Sequence, residues 1–367
     1  MAHHGTPMTG ADRAASTTAA RRPSSSSVVS DQGVALPYVS FVVVVRNEET
    51  NIATCLGHIL RQEYPRDRLE IVLVDGMSED RTREIAERMV SGAVPLRIVL
   101  NPGGQRARGL NLGIRAARGE VIGRVDARTR IEPGYLARCV RLLQETGADN
   151  VGGVMRPDST GPVQTAIGLA MSHPFGAGDA PFRVGWKRGP AEGAYPGLFR
   201  RDVFDRVGLF DEQAAVISED SDLNARILRS GGIIYLDPTV QVYYRPRGSL
   251  RDLWKLYFRY GGARAGNLLK HRRLRARQVV PPLFLLALVG LPGGGLMVRP
   301  LLSVWTVMVV TYLVTDVLVS VYVAAAAGRA ALCGWLCAVF PCMHLAWGVG
   351  FWRRLTQRPR PGVYWGY

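Results

Sequence analysis

Between Val39 and Asp126 the chain switches repeatedly between two hydrophobic periods, and this switching limits its fold more than any other feature. "VSFVVVV" (39–45) is an unbroken β-branched run, as a strand buried on both faces requires. Ile52, Cys55, Leu56, Ile59 and Leu60 then recur at helical spacing. "EIVLVD" (70–75), "LRIVL" (96–100) and "EVIGRVD" (120–126) read as further strands. Helical patterns separate them, at Ile85, Ala86, Met89 and Val90 and again at Leu110, Ile114 and Ala117. Strands alternating with helices predict βαβ crossovers, hence an α/β fold with a mostly parallel sheet and helices on both faces.

In such sheets ligands bind beyond the carboxyl ends of the strands. Glu48, Asp75 and Asp126 all fall there. Any one acid could be a turn former or helix cap; three strands all ending in acid, toward one edge, point to a shared crevice.

Residues 1–36 are rich in Ser, Thr, Ala and Arg and lack the apolar core of a signal peptide, so a disordered tail is expected. The apolar residues pile up late, in stretches at about 279–298, 301–326 and 330–352. Each approaches the ~20 residues of a membrane-spanning helix. "LPGGG" weakens the first as a regular helix, Asp316 lies in the second and His344 in the third. "KHRRLRAR" (270–277) precedes this block and places that flank in the cytoplasm by the positive-inside rule. "RRLTQRPR" (353–360), within a basic tail over 353–367, follows the last stretch, and three crossings would put it outside. The charge rule and the number of stretches therefore conflict.

Net charge is +16, carried almost wholly by arginine, which fits a GC-rich bacterial coding sequence. No basic-aromatic pattern of a nucleic-acid module occurs, so anionic membrane or phosphorylated substrates are the expected partners. Five cysteines without a CxxC pair read as free thiols.

"VVVVRNEETNI", "VDGMSEDRT", "RGLNLGIRAARGEVIGRVDA", "GLFRRDVFDRVGLFDE" and "SEDSDLNARILRSGG" follow one another in an order that resembles the family 2 glycosyltransferases of GT-A fold. "ADNVGGVM", "HPFGAG" and "YFRYG" are similar to the membrane-anchored, succinoglycan-type glucosyltransferases of exopolysaccharide biosynthesis. The resemblance spans roughly 38–270. It implies a nucleotide-sugar half (37–155), an acceptor half (156–245), an interfacial helix (246–270) and multi-pass membrane helices (279–352), with the catalytic part cytoplasmic.

The resemblance further implies a donor, UDP-glucose by the nearest likeness, bound by Arg46, Asn47, Glu48, Asp75, Gly76, Arg108, Asp126 and Arg128. Asp126 matches the first Asp of the family's DxD motif, which holds Mg²⁺ or Mn²⁺ on the diphosphate. Arg128 stands at the second, where the related branch commonly has His, and cannot ligate a metal. Three accounts follow: Asp126 holds a metal bridged by the diphosphate, Arg128 pairs with the diphosphate itself, or the protein is inactive. The first is favoured, with Arg128 adding positive charge. Glu219 and Asp220 match the ED motif, Asp220 as the base that deprotonates the acceptor hydroxyl. Asp222 is close enough in sequence to be confused with it.

The family's QxxRW motif has no counterpart here. Arg251, Lys255 and Arg259 recur every four residues among aromatic residues, which suits a helix at the membrane interface with a cation or two reaching the diphosphate. Residues 173–199, Gly/Pro-rich, would form the acceptor wall, with His173 structural or an acceptor contact. A lipid-linked saccharide is the expected acceptor. The alternatives are transfer to a polyprenyl phosphate and a non-catalytic nucleotide-sugar-binding membrane component.

Overall fold

The computed structural model describes residues 36–185, 187–213, 219–272 and 276–357; most of the N-terminal tail and residues 358–367 of the basic tail lie outside them. Its first half follows the alternating periods: β1 (Val39–Val45), α1 (Ile52–Leu60), β2 (Leu69–Asp75), α2 (Thr82–Val90), β3 (Leu96–Leu100), α3 (Arg106–Ala116) and β4 (Val121–Arg124). These strands lie parallel in the order β3-β2-β1-β4. β4 stops at Arg124, so Asp126 sits in the turn just beyond it.

Then follow β5 (Thr129–Ile131), α4 (Tyr135–Thr146), β6 (Asn150–Pro157), α5 (Pro162–Ser172), the one-turn helices α6 (Pro174–Ala177) and α7 (Pro181–Val184), β7 (Gly189–Pro190), β8 (Tyr195–Arg200), α8 (Asp202–Val207), α9 (Glu219–Arg229) and β9 (Ile234–Tyr244). β8 inserts antiparallel between β4 and β6, β9 runs parallel to β6, and β5 and β7 pair antiparallel with β9. The sheet is thus parallel where the crossovers are and mixed beyond.

Both faces are covered. Val42, Val72, Val74 and Ile122 share a core with Ala107, Leu110 and Ile114 of α3 and with Leu223 and Ile227 of α9. Phe41, Val43, Ile71 and Leu73, pointing the other way by strand alternation, are fully buried too. Helix α3 lies unusually close to the sheet: a Cβ on Gly113 would stand 2.3 Å from Val42 Cγ1. That approach fixes where its first residue, Arg106, points.

Four long helices complete the described chain: α10 (Leu250–His271), α11 (Ala276–Gly295), α12 (Pro300–Ala326) and α13 (Cys333–Thr356). Segments 278–295, 300–326 and 330–356 are long and apolar enough to cross a membrane. Helix α11 contains Pro281, Pro282 and Pro292, and tryptophans satisfy the carbonyls that Pro282 and Pro292 leave without an N–H donor. Trp347 Nε1 donates to Gln278 O (3.3 Å) and Trp305 Nε1 to Leu288 O (3.0 Å), the carbonyls four residues before each proline.

Candidate active site

Four charged side chains meet where β4, α3 and α9 converge. Arg124 ends β4, Arg106 opens α3 and Glu219 opens α9. Arg124 lies 3.4 Å from Asp126 Oδ1 and 3.2 Å from Glu219 Oε1; Arg106 pairs with the same Asp126 oxygen and lies 3.3 Å from Glu219 Oε1. Two guanidiniums thus bridge two carboxylates. Burial opposes a charged Asp126, but Arg106 and Arg124 outweigh it and hold its carboxyl well below the usual carboxylate range. Burial pushes Glu219 the other way, upward, against the pull of Arg124 and Arg106. Each acid keeps one oxygen off the arginines. Asp126 Oδ2 accepts only a long hydrogen bond from the Tyr195 hydroxyl (3.5 Å), itself 2.7 Å from Thr129 Oγ1. Glu219 Oε2 is buried without a hydrogen-bond partner.

This cluster forms one wall of a cleft of about 1340 Å³. Asp220 lines the cleft beside Glu219, and its carboxylate accepts the Ser221 N–H (2.7 Å). Asp222 faces elsewhere: it is 1% exposed and pairs with Arg226 (2.9 Å), which also donates to carbonyls at the end of α8. The cleft continues past Arg183 and Arg259 to Val280 and Pro281 of α11 and Trp347 of α13. It exceeds the ~300–1,000 Å³ usual for one small ligand.

The other expected donor residues gather at the ends of β1 and β2, off the cleft wall. Asp75 is fully buried; its carboxylate accepts the Ser78 N–H and hydroxyl (2.5 Å) and meets Arg83 (3.4 Å). Asn47, at a φ of 52°, donates its N–H to Ser78 Oγ (2.9 Å) and accepts the Glu79 N–H at its side chain. Glu48 holds Asn51 (2.6 Å) and, across 80 residues of sequence, Arg128 Nε (3.1 Å). Arg46 packs beside Gly76 and Gly104, and Arg108 beside Gly103. On α10, Arg259 reaches the cleft, while Arg251 and Lys255 are exposed and Lys255 pairs with Asp252 (3.7 Å). His173 stacks edge-on against Phe340 and caps α6.

The sequence reading missed Arg106, Arg124 and Tyr195. For Arg124 a signal was present: it is two residues before Asp126, and strand alternation puts i and i+2 on one face.

Comparison with known proteins settles the lineage. The model of the Glycosyl transferase family 2 matches residues 40–208. A succinoglycan biosynthesis protein, ExoA of Rhizobium meliloti (strain 1021), is 32% identical over 323 residues, covering 87% of this chain and 95% of that one. The chain belongs to glycosyltransferase family 2. This family 2 chain is also similar to the β-monoglucosyldiacylglycerol synthase of Trichormus variabilis, 26% identical over 210 residues (52% of this chain, 41% of that one). Among solved structures, a mannosyltransferase from Pyrobaculum calidifontis in complex with GDP-Man and Mn²⁺ superimposes with a TM-score of 0.57 at 20% identity, over 90% of this chain and 91% of that one. The likeness supports the GT-A fold. The protein is a glycosyltransferase.

Proposed function

We propose that the chain is an inverting transferase that moves a sugar, glucose from UDP-glucose by its resemblance to succinoglycan-type glucosyltransferases, to a lipid-linked saccharide during polysaccharide assembly. The observation that carries this reading is the single cleft that joins Asp126, Glu219 and Asp220 to the first turns of α11. A water-soluble donor can enter at the strand ends while a lipid-borne acceptor arrives along the apolar helices. The succinoglycan relative, named for exopolysaccharide synthesis, supports the same assignment.

In the proposed step the acceptor oxygen forms a bond to the anomeric carbon as that carbon's bond to the diphosphate breaks. The hydroxyl proton passes to Asp220, and the nucleoside diphosphate leaves with the bonding electrons. Attack opposite the leaving group inverts the configuration. Asp220 rather than Asp222 serves as base because only Asp220 faces the cleft. Arg259, on the cleft wall, supplies preset positive charge for the departing diphosphate.

No group of three His, Cys, Asp or Glu side chains among the described residues could cage a metal. Mg²⁺ and Mn²⁺ commonly bind through one or two carboxylates and substrate phosphates, and the donor set fits that mode. Asp126 Oδ2, outside the arginine contacts, is the protein oxygen that would hold the ion. When bound, the metal supplies charge neutralisation at the diphosphate. Arg128 pairs with Glu48, and Arg106 and Arg124 add further positive charge at Asp126.

Membranes carrying the chain, incubated with a panel of labelled nucleotide sugars and extracted with organic solvent, test the reading. Label from one donor is expected in the lipid phase, on a saccharide rather than directly on a polyprenyl phosphate. Hydrolysis alone, or no donor use, contradicts it.

A further inference from the structure

The three apolar helices are not equivalent in their surroundings. Large exposed hydrophobics run along α11, the tip at 296–299 and α12: Leu286, Val289, Met297, Val307, Val314 and Leu318 are examples. Met297, at the tip, is 90% exposed. Among the described residues α13 contributes only Trp335 to this exposed set. Its length would reach across a bilayer, yet its large apolar side chains other than Trp335 are buried or half-buried in the protein.

The N-terminal half of α13 lies in the core of the catalytic unit. Leu336, Val339, Phe340 and Met343 are fully buried, packed with Ile167 and Met171 of α5 and Met155 of β6. The C-terminal half runs alongside α10 in the same direction. Cys342 meets Leu250, Gly350 meets Phe258 and Arg354 meets Gly266. Here the two backbones touch: a Cβ on Gly350 would lie 1.9 Å from Phe258 O, and one on Gly261 2.0 Å from Trp347 O. If α13 crossed the bilayer it would carry α10 in with it. Exposed Arg251, Asp252 and Lys255 would enter hydrocarbon, where charged side chains are costly.

Apart from Arg299 at its tip the hairpin exposes no charge among the described residues, although its base packs on α13: Tyr312 meets His344 (2.9 Å), and Val323 and Ala324 of α12 share a buried core with Phe340. α11 and α12 run antiparallel: Trp305 reaches Leu288, and Tyr312 stacks on Phe284. Residues 278–295 extend about 27 Å at 1.5 Å per residue and 300–326 about 40 Å, against a ~30 Å hydrocarbon core. Arg299 sits exposed at the tip of the hairpin.

We infer that only this two-helix hairpin crosses the bilayer, with α13 docked on the catalytic unit and against the base of the hairpin. Two crossings return the chain to its starting side. The basic stretches 270–277 and 353–360 then share that side, and the conflict between charge and helix number disappears. The cleft, bounded by Pro281 and Trp347, opens at the surface where the hairpin enters.

Short protease-cleavable epitope tags on the full-length protein test this. One precedes Met1 and marks the side of the catalytic unit, one lies between Met297 and Val298, and one follows Tyr367. Protease is added to right-side-out and to inverted membrane vesicles. The first and last tags are expected to be cut in the same vesicle orientation and the tip tag in the opposite one. A C-terminal tag cut together with the tip tag means that α13 crosses, and overturns the inference. So does a tip tag cut with the N-terminal one, or protected in both orientations. A C-terminal fluorescent-protein fusion, which leaves the hairpin unaltered, provides the second reading: fluorescence in cells is expected, and its loss with full expression contradicts the inference.

Discussion

Arg124 Nη2 lies 3.2 Å from Glu219 Oε1, tying the end of the parallel half-sheet to the first residue of the helix that carries the proposed base. Both side chains are about nine-tenths buried or more. The pair sets the distance between the donor side of the cleft and Asp220.

Removing Arg124 should therefore cost both stability and turnover. A buried ion pair that loses one partner is destabilised by roughly 3–5 kcal/mol, because the remaining charge is left unpaired. Arg124→Met is expected to lower the unfolding midpoint of the solubilised protein clearly. Arg251→Met, at an exposed site, should leave it nearly unchanged.

Asp220 and Asp222 should separate by kind of effect. Asp220→Asn is expected to reduce kcat by roughly 10²–10⁴-fold, the usual contribution of a general base, with the unfolding midpoint near wild type. Asp222→Asn breaks the pair with Arg226 at 2.9 Å and should destabilise the protein. Steady-state rates with thermal unfolding of both variants check this.

Acid should uncover the Asp126 pairing. With its folded pKa held below the unfolded value by Arg106 and Arg124, against burial, the pairing contributes its full stability above the ordinary carboxylate range, ~4. That contribution is lost as pH falls through the folded pKa. Glu219, raised by burial, works in the opposite sense: its charged form costs stability as pH rises through its folded pKa. The midpoint difference between wild type and Asp126→Asn should stay constant near neutrality and shrink below about pH 4. A difference that grows on acidification contradicts the assignment.

Close contact between α10 and α13 makes glycine necessary at their crossing. Gly350→Leu places side-chain atoms against Phe258 O and is expected to destabilise by several kcal/mol, more than ordinary overpacking of ~1–3. Gly334→Leu, with open space around its position, should be tolerated. Expression level and detergent-solubilised unfolding read both.

Chelation gives a separate test of the metal mode. Transfer should cease in excess EDTA and return with Mg²⁺ or Mn²⁺, while the unfolding midpoint without donor stays unchanged, because the ion is held mainly through the diphosphate. Full activity after metal removal would assign charge neutralisation to Arg106, Arg124 and Arg259 instead.

The parallel half of the fold was legible because Val39–Val45 and its successors state their period locally. The antiparallel half was not: β8 is a six-residue strand in a Gly/Pro-rich stretch, and its place between β4 and β6 is a long-range choice. At the site, Asp126, Glu219 and Asp220 were readable from their flanking motifs. Arg108 was named for the donor, whereas Arg106, which contacts Asp126 and Glu219, was not singled out. Two residues along a helix turn by about 200°, so the choice rested on the exact start of α3, the least readable property of a helix. Asp75, read as facing the donor, also closes the "DGMS" turn, a local role that leaves the same sequence signature. Burial of α13 against α10 could not be read at all, since hydropathy does not distinguish lipid from a protein core.

The most direct test of the account is the stereochemistry and Asp220 dependence of a single transfer. Purified membranes, the preferred nucleotide sugar and extracted lipid acceptor should give a glycolipid whose new linkage has the anomeric configuration opposite to the donor's, and Asp220→Asn membranes should give almost none. A retained configuration, or an Asp220→Asn rate equal to wild type, would contradict a cleft organised around Asp126, Glu219 and Asp220.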